Sequence, residues 1–159
     1  EENVDHLITE ILDFSLKNNC RLVLPIDVVT ADKISDRADI QESNVENIKE
    51  QNMILDIGKN TLKLIKNEIS KSRTVFWNGP LGVFETSPFD KGTVEIANFI
   101  ATLTENNKIR SFAGGGDTIS ALDLARVKDK FSYVSTGGGA LLELIEGRKL
   151  PGLVALGIL

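Results

Sequence analysis

The chain has 159 residues, 42% of them hydrophobic, which is enough for one buried core and too few to expect two domains. Its 18 Lys and Arg against 23 Asp and Glu give a net charge of -5, and the scattered basic residues argue against a nucleic-acid partner. No apolar run approaches the roughly 20 residues of a membrane span, and EENVDHL is unlike a secretion signal, so we expect a cytoplasmic protein without a membrane partner.

Two single residues give simple expectations. Cys20 is the only cysteine, which excludes an internal disulfide, and because it precedes a strand-like run we expect a buried, inert thiol. Glu1 stands where a complete chain would have methionine, and the amphipathic pattern starts at once. We therefore expect this chain to be part of a longer protein.

The first half of the sequence predicts two helices and two strands. Apolar residues at helical spacing from Val4 to Leu16 predict a helix, and the apolar, β-branched run CRLVLPIDVV is typical of a strand covered on both faces. Polar residues dominate the segment 31–51, which we expect to be a loop with room for a short turn of helix. MILDIG predicts a second strand, and TLKLIKNEI predicts a helix that turns its apolar residues towards the core: Leu62, Ile65 and Ile69.

The second half repeats a strand-then-helix pattern. TVFWNG, IRSFAG and FSYVSTG predict strands, while the segment from Val94 to Leu103, TISALDLARV and ALLELIEG predict helices. The final run, LPGLVALGIL, gives no clear pattern. Alternating strands and helices indicate an α/β fold, a Rossmann-like layered domain with a mostly parallel sheet.

Glycine is concentrated where the predicted strands end. In open parallel sheets, ligands bind outside the carboxyl ends of the strands. Any single glycine here is explained by the turn in which it lies. A turn needs one glycine rather than three, however, so the two glycine triplets, 114–116 and 137–139, indicate a ligand-binding rim. Nine of the 13 glycines lie in these turns: Gly58, Gly79, Gly82, Gly114, Gly115, Gly116, Gly137, Gly138 and Gly139.

The stretch AGGGDTIS combines a glycine-rich helix start with an acid. Free amides at a helix N-terminus favour a phosphate. Asp117 has two explanations: it caps its own helix, or it holds a magnesium ion that bridges it to a polyphosphate. Neither glycine triplet completes the dinucleotide pattern, and Gly58-Lys59 does not complete a P-loop.

The stretch WNGPLGVFE has an apolar tip followed by an acid. Val83 and Phe84 would suit a nucleotide base, and Glu85 could accept hydrogen bonds from ribose hydroxyls. The alternative is that Trp77, Val83 and Phe84 are core residues, and this is the favoured explanation for Trp77 and Phe84. His6 is the only histidine, and no nucleophile has an adjacent base, a pattern that fits phosphoryl transfer, which depends on positioning and electrostatics.

Taken in order, LPIDVVTAD, LDIG, TVFWNGPLGVFE, AGGGDTISAL and FSYVSTGGGALLELIEGRKLPGLVAL resemble phosphoglycerate kinase over most of the chain. The similarity is to the latter part of the C-terminal, nucleotide-binding domain of that two-domain enzyme. It implies reversible transfer of a phosphoryl group from 1,3-bisphosphoglycerate to MgADP, giving 3-phosphoglycerate and MgATP in glycolysis. Mg²⁺ and ATP or ADP are the implied cofactor and nucleotide substrates.

The resemblance also implies a role for individual residues. Gly58, Pro80 and Val83 would line the adenine pocket, Asn78 would lie near the phosphates, and Glu85 would hold the ribose. The nucleotide phosphates would meet the glycine turn at residues 115–118, in which Asp117 would serve the magnesium ion. The glycine turn at residues 138–139 would present backbone amides to the phosphoryl group in transfer. These two turns contribute Gly115, Gly116, Asp117 and Thr118, and Gly138 and Gly139.

Parts of the enzyme implied by the resemblance have no counterpart in this sequence. These are the N-terminal domain, whose basic patch and catalytic arginine bind phosphoglycerate, and a GGAKV-like segment with a nucleotide-contacting lysine. We therefore expect the chain to be inactive alone. The resemblance also implies that the full-length protein is monomeric. Two other hypotheses are a noncatalytic α/β interaction module and, disfavoured by the missing G-x-G-x-x-G, a dehydrogenase.

Overall fold

The computed structural model describes residues 4–158. The helices are α1 Asp5–Lys17, α2 Lys59–Lys71, α3 Lys91–Glu105, α4 Gly116–Leu124, α5 Gly139–Ile145 and α6 Pro151–Ala155. The strands are β1 Asp27–Ala31, β2 Ile40–Asn44, β3 Met53–Ile57, β4 Thr74–Asn78, β5 Arg110–Gly114 and β6 Tyr133–Val134. None of the helices in this range is both long and apolar enough to cross a membrane.

The strands form two separate sheets. One is parallel, in the order β4-β5-β6, and its β4 and β5 pair from Thr74 opposite Arg110 to Asn78 opposite Gly114. The other is antiparallel, in the order β2-β1-β3. The α/β fold is thus confirmed, and its parallel part is the half of the sequence in which strands and helices alternate most regularly.

The main core lies between the parallel sheet and helices α3 and α4. The apolar spacing of α3 places Ile96 and Ile100 in this core, with Leu122 of α4 packed beside them. Helix α2 covers the same core with its predicted inward residues, Leu62, Ile65 and Ile69. Trp77 and Phe84 are also buried, which confirms the core explanation for both.

Three expectations about the first 51 residues were wrong. The segment predicted as a loop contains β2, whose sequence IQESN is polar because the strand lies at a sheet edge and buries no residue. Of the run CRLVLPIDVV only the end, from Asp27, is a strand, and Cys20 is exposed rather than buried. Its apolar neighbours Leu22 and Leu24 are exposed too, because no described strand pairs with them.

Helix α1 is amphipathic as predicted, but its apolar side is exposed. Only Ser15 of this helix is buried. The last run of the sequence forms α6, with Pro151 in its first turn, while Leu159 lies outside the described residues.

The start of α2 is stabilised by a carboxylate from β1. Asp27 accepts hydrogen bonds from Asn60 N at 2.9 Å, from Thr61 N at 2.6 Å and from Thr61 Oγ1 at 2.7 Å. A side chain at Gly58 would collide with Asp27. Burial raises the pKa of Asp27, but these hydrogen bonds outweigh it and the net shift is downward. Asp27 therefore satisfies the helix-start amides that a bound anion would otherwise use.

We expect Asp27→Ala to lower the free energy of unfolding by about 2 kcal/mol, because buried donors at the start of α2 lose their acceptor. Urea denaturation at pH 7 measures this, and Asp13→Ala, an exposed acid on α1, should change it by less than about 0.5 kcal/mol. Since the pKa is lowered, the stabilisation by Asp27 is present above pH 3.8 and is lost on further acidification. Equal losses in the two variants would contradict this role.

Candidate functional site

Two of the predicted turns lie side by side at the carboxyl edge of the parallel sheet. Strands β4 and β5 end at Asn78 and Gly114, which are paired. Beyond them lie the 79–85 turn and, at residues 114–116, the glycine turn that leads into α4. The third turn, at residues 135–138, follows β6 at the same edge. The expectation that Gly58 also follows a strand of the parallel sheet is wrong, because it follows β3 of the antiparallel sheet.

Helix α4 begins at this edge without a side-chain cap. Its N-cap is Gly115, with φ +96°. Only glycine adopts this conformation easily, and a Cβ there would lie 2.7 Å from Asn78 Oδ1. The amides of the first helical turn therefore meet neither a capping side chain nor a side chain on the N-cap residue, which is the local chemistry of an anion site.

Asp117 does not cap its helix. It is the second residue of α4, its side chain is exposed, and no side-chain capping hydrogen bond is formed at this helix start. Of the two explanations for Asp117, the helix cap is therefore wrong. Within residues 4–158, no group of three or more acidic, histidine or cysteine side chains could hold a metal ion. Asp117 fits magnesium only as a single carboxylate that shares the ion with phosphate oxygens and water.

The 79–85 turn is held by groups from three different elements. Gly79 N donates to Thr118 Oγ1 of α4 at 2.7 Å, and Leu81 N donates to Thr93 Oγ1 of α3 at 3.0 Å. Val83 N donates to the carbonyl oxygen of Leu55 in β3 at 2.8 Å. Both threonines are buried, so the turn is anchored on the core.

A buried carboxylate lies under the same turn. Asp56 accepts hydrogen bonds from Ile57 N and Gly92 N, both at 2.8 Å. A Cβ at Gly82 would lie 2.6 Å from Asp56 Oδ1, so only glycine fits there. Burial, helped by the nearby charges of Asp90 and Glu95, raises the pKa of Asp56 to about 6, although its hydrogen bonds lower it.

The predicted adenine residues line two neighbouring cavities. Pro80 and Val83 line one of about 270 Å³, and Gly58 lines another of about 230 Å³. The two cavities share Asp56 and Ile57 as wall residues.

The remaining predicted residues lie on the exposed side of this edge. The side chains of Glu85 and Asn78 are exposed. Gly138, with φ +55°, is the N-cap of the short helix α5, and Gly139 is the first residue of that helix.

Sequence reasoning missed the residues that hold the turns in place. Thr93 and Leu55 carry no motif, because a buried hydroxyl or a strand carbonyl is recognised only once its partner is known. The acids in LPID and LDIG did carry a signal: an acid inside an apolar strand needs buried partners. These acids are Asp27 and Asp56.

Fold and site define an α/β protein with its candidate ligand site in glycine-rich turns at the carboxyl edge of a parallel sheet. The family model described as phosphoglycerate kinase matches residues 1–148. The chain belongs to the phosphoglycerate kinase family.

Individual relatives agree with this assignment. Phosphoglycerate kinase of Wolbachia pipientis wMel is 44% identical over 157 residues, and that of Xanthobacter flavus is 41% identical over 156. Each alignment covers 98% of this chain and 39% of the relative. The structure of phosphoglycerate kinase from Coxiella burnetii matches with a TM-score of 0.86 at 36% identity, over 93% of this chain and 38% of that one. This chain thus spans about two fifths of the length of these relatives.

The raised pKa of Asp56 predicts a specific pH dependence of stability. The unfolded chain releases this proton near pH 3.8 and the folded chain near pH 6, so the folded state binds more protons between these values. The free energy of unfolding contributed by Asp56 should therefore fall as pH rises from about 4 to about 6. Urea denaturation of the wild type and Asp56→Asn across this range measures it. The difference between the two proteins should fall with pH and then level off, and a constant difference would contradict the prediction.

Proposed function

We propose that this chain forms the nucleotide-binding part of a phosphoglycerate kinase. In that reaction a phosphoryl group passes reversibly from 1,3-bisphosphoglycerate to MgADP, giving 3-phosphoglycerate and MgATP in glycolysis. The observation that carries the proposal is the pairing of Asn78 with Gly114. It places side by side the two turns that the resemblance assigns to the adenosine and to the phosphates.

The proposal includes how much of the enzyme this chain represents. We assign residues 1–159 to the latter part of the C-terminal domain, with the phosphoglycerate-binding N-terminal domain and its catalytic arginine supplied by the rest of the enzyme. The 39% coverage of relatives and the uncovered apolar side of α1 support this assignment. The chain alone would not catalyse the full reaction, and the complete enzyme would be a cytoplasmic monomer.

The phosphates would bind at the start of α4. The amides of Gly115, Gly116 and Thr118 supply donors at the positive end of the helix, where an anion is favoured. Asp117 would hold the magnesium ion, which neutralises phosphate charge and makes a carboxylate acceptable beside an anion. Gly138 and Gly139 would present backbone amides to the phosphoryl group in transfer, since this chemistry depends on positioning and charge stabilisation.

The adenosine would bind beside the 79–85 turn. Pro80 and Val83 offer an apolar cavity wall, and Gly58 lines the adjoining cavity. Asn78 lies between this turn and the phosphates, with its side chain against Gly115. The exposed carboxylate of Glu85 would accept hydrogen bonds from the ribose hydroxyls.

Asp117→Asn should remove the effect of magnesium on nucleotide binding. We expect the wild type to bind ADP at least about tenfold more tightly with Mg²⁺ than without, because a hydrogen bond or contact to a charged group contributes roughly 1.5–3 kcal/mol. The variant should bind ADP with the same weak affinity in both conditions. Calorimetric titration with ADP, with and without Mg²⁺, measures this.

The matched control is Asp123→Asn. Asp123 is an exposed acid of the same helix and pairs with Lys128 at 3.1 Å, a contact of little energetic value. This variant should keep the magnesium effect. Loss of the effect in both variants would show that helix charge alone is responsible, and a folded wild type that does not bind ADP would contradict the proposed function for this chain.

Glu85→Gln should weaken ADP binding by about fivefold, since a hydrogen bond contributes about 1 kcal/mol. The affinity for 2′,3′-dideoxy-ADP should stay the same, because that ligand lacks the hydroxyls that Glu85 would accept from. Competition binding with both ligands tests this. If the variant weakens both ligands equally, Glu85 acts on something other than the ribose.

A further inference from the structure

One hydrogen bond joins the two turns of the proposed site. Thr118 Oγ1 of α4 accepts from Gly79 N, the first amide after β4, at 2.7 Å. The side chain of Thr118 is 1% exposed, so this contact is shielded from water. The bond therefore connects the helix start assigned to the phosphates with the turn assigned to the adenosine.

Gly79 lies where the sheet ends, so this hydrogen bond holds the start of the 79–85 turn. The pairing of β4 with β5 ends at Asn78 and Gly114, so the sheet no longer holds the chain beyond that point. Gly79 has φ +88°, and its carbonyl accepts from Trp77 Nε1. The peptide groups on both sides of this glycine are thus held by side chains, although glycine alone leaves the backbone free to rotate.

The hydroxyl and the backbone amide of Thr118 have different partners. The hydroxyl oxygen is engaged with Gly79, whereas the backbone amide belongs to the uncapped first turn of α4. A phosphate at this helix start would meet the amide and leave the hydroxyl in place. The amide of Thr118 can therefore bind the phosphate while its hydroxyl holds the turn assigned to the adenosine.

We infer that Thr118 is a positioning residue that couples the adenosine and phosphate halves of the nucleotide site. The hydroxyl of Thr118 holds Gly79 and so places Pro80 and Val83 for the base, while the amide of the same residue lies at the helix start that the phosphate would meet. By reciprocity, adenosine in its cavity favours phosphate binding by the same factor. This inference rests on the proposed function and extends it to a residue that would influence a ligand part it does not touch.

The test uses adenosine, which has no phosphate, with two variants of the 159-residue chain. Thr118→Val replaces the hydroxyl by a methyl group of similar size, and Thr118→Ser keeps the oxygen that accepts from Gly79. We expect Thr118→Val to weaken adenosine binding about fivefold, the effect of one hydrogen bond, and Thr118→Ser to stay within about twofold of the wild type. Pyrophosphate titrations of the same proteins report the phosphate half separately.

Hydrogen exchange at the Gly79 amide gives a readout independent of ligand. The amide should exchange slowly in the wild type and in Thr118→Ser, and faster in Thr118→Val, with each variant shown to be folded by its thermal transition. Unchanged exchange in Thr118→Val would overturn the inference.

The binding outcomes separate the inference from the function. If Thr118→Val weakens only pyrophosphate and leaves adenosine unchanged, the hydroxyl acts on phosphate directly, which overturns the coupling and leaves the proposed function intact. If the folded wild type binds neither adenosine nor MgADP, the proposed function fails and the coupling fails with it. Weakened adenosine binding restored by serine supports both.

Discussion

The candidate site depends on the parallel pairing of β4 with β5. Because both strands run in the same direction, both leave the sheet at one edge, and the register ends with Asn78 opposite Gly114. The turns that follow these strands therefore lie next to each other although they are far apart in sequence. A slip of one residue would turn every side chain of the strand to the other face and would separate Asn78 from Gly115.

The starts of α2 and α4 differ in the side chains that reach their free amides. Each follows a strand and a glycine, but α2 receives the buried carboxylate of Asp27 from β1, whereas α4 receives no capping side chain. The acid of α4, Asp117, belongs to the helix itself and is exposed to solvent. The difference arises from tertiary packing, and it explains why one helix start is part of the framework and the other is suited to an anion.

Helices and strands whose apolar pattern reflects burial in the core could be predicted from the sequence. Strands whose position depends on their pairing partners could not. The apolar spacing of α3 and the strand runs around Trp77 and Ala113 reflect the core directly. The polar edge strand β2 has no such pattern, and the antiparallel sheet depends on pairings that alternation does not reveal. The glycine turns were predicted, whereas the support from Thr93 and Asp56 was not, because each acts on backbone groups distant in sequence.

The 79–85 turn shows how a loop without regular structure acquires a defined shape. Its amides donate to Thr118, to Thr93 and to the carbonyl of Leu55, so three elements fix a segment that contains two glycines. Thr93 and Thr118 lie on the same buried helix faces as Ile96 and Leu122, which pack in the main core. Displacement of either helix would therefore move the turn as well, because its hydrogen-bond acceptors move with the core. The geometry of the proposed adenosine site is in this sense a property of helix packing and not of the turn sequence alone.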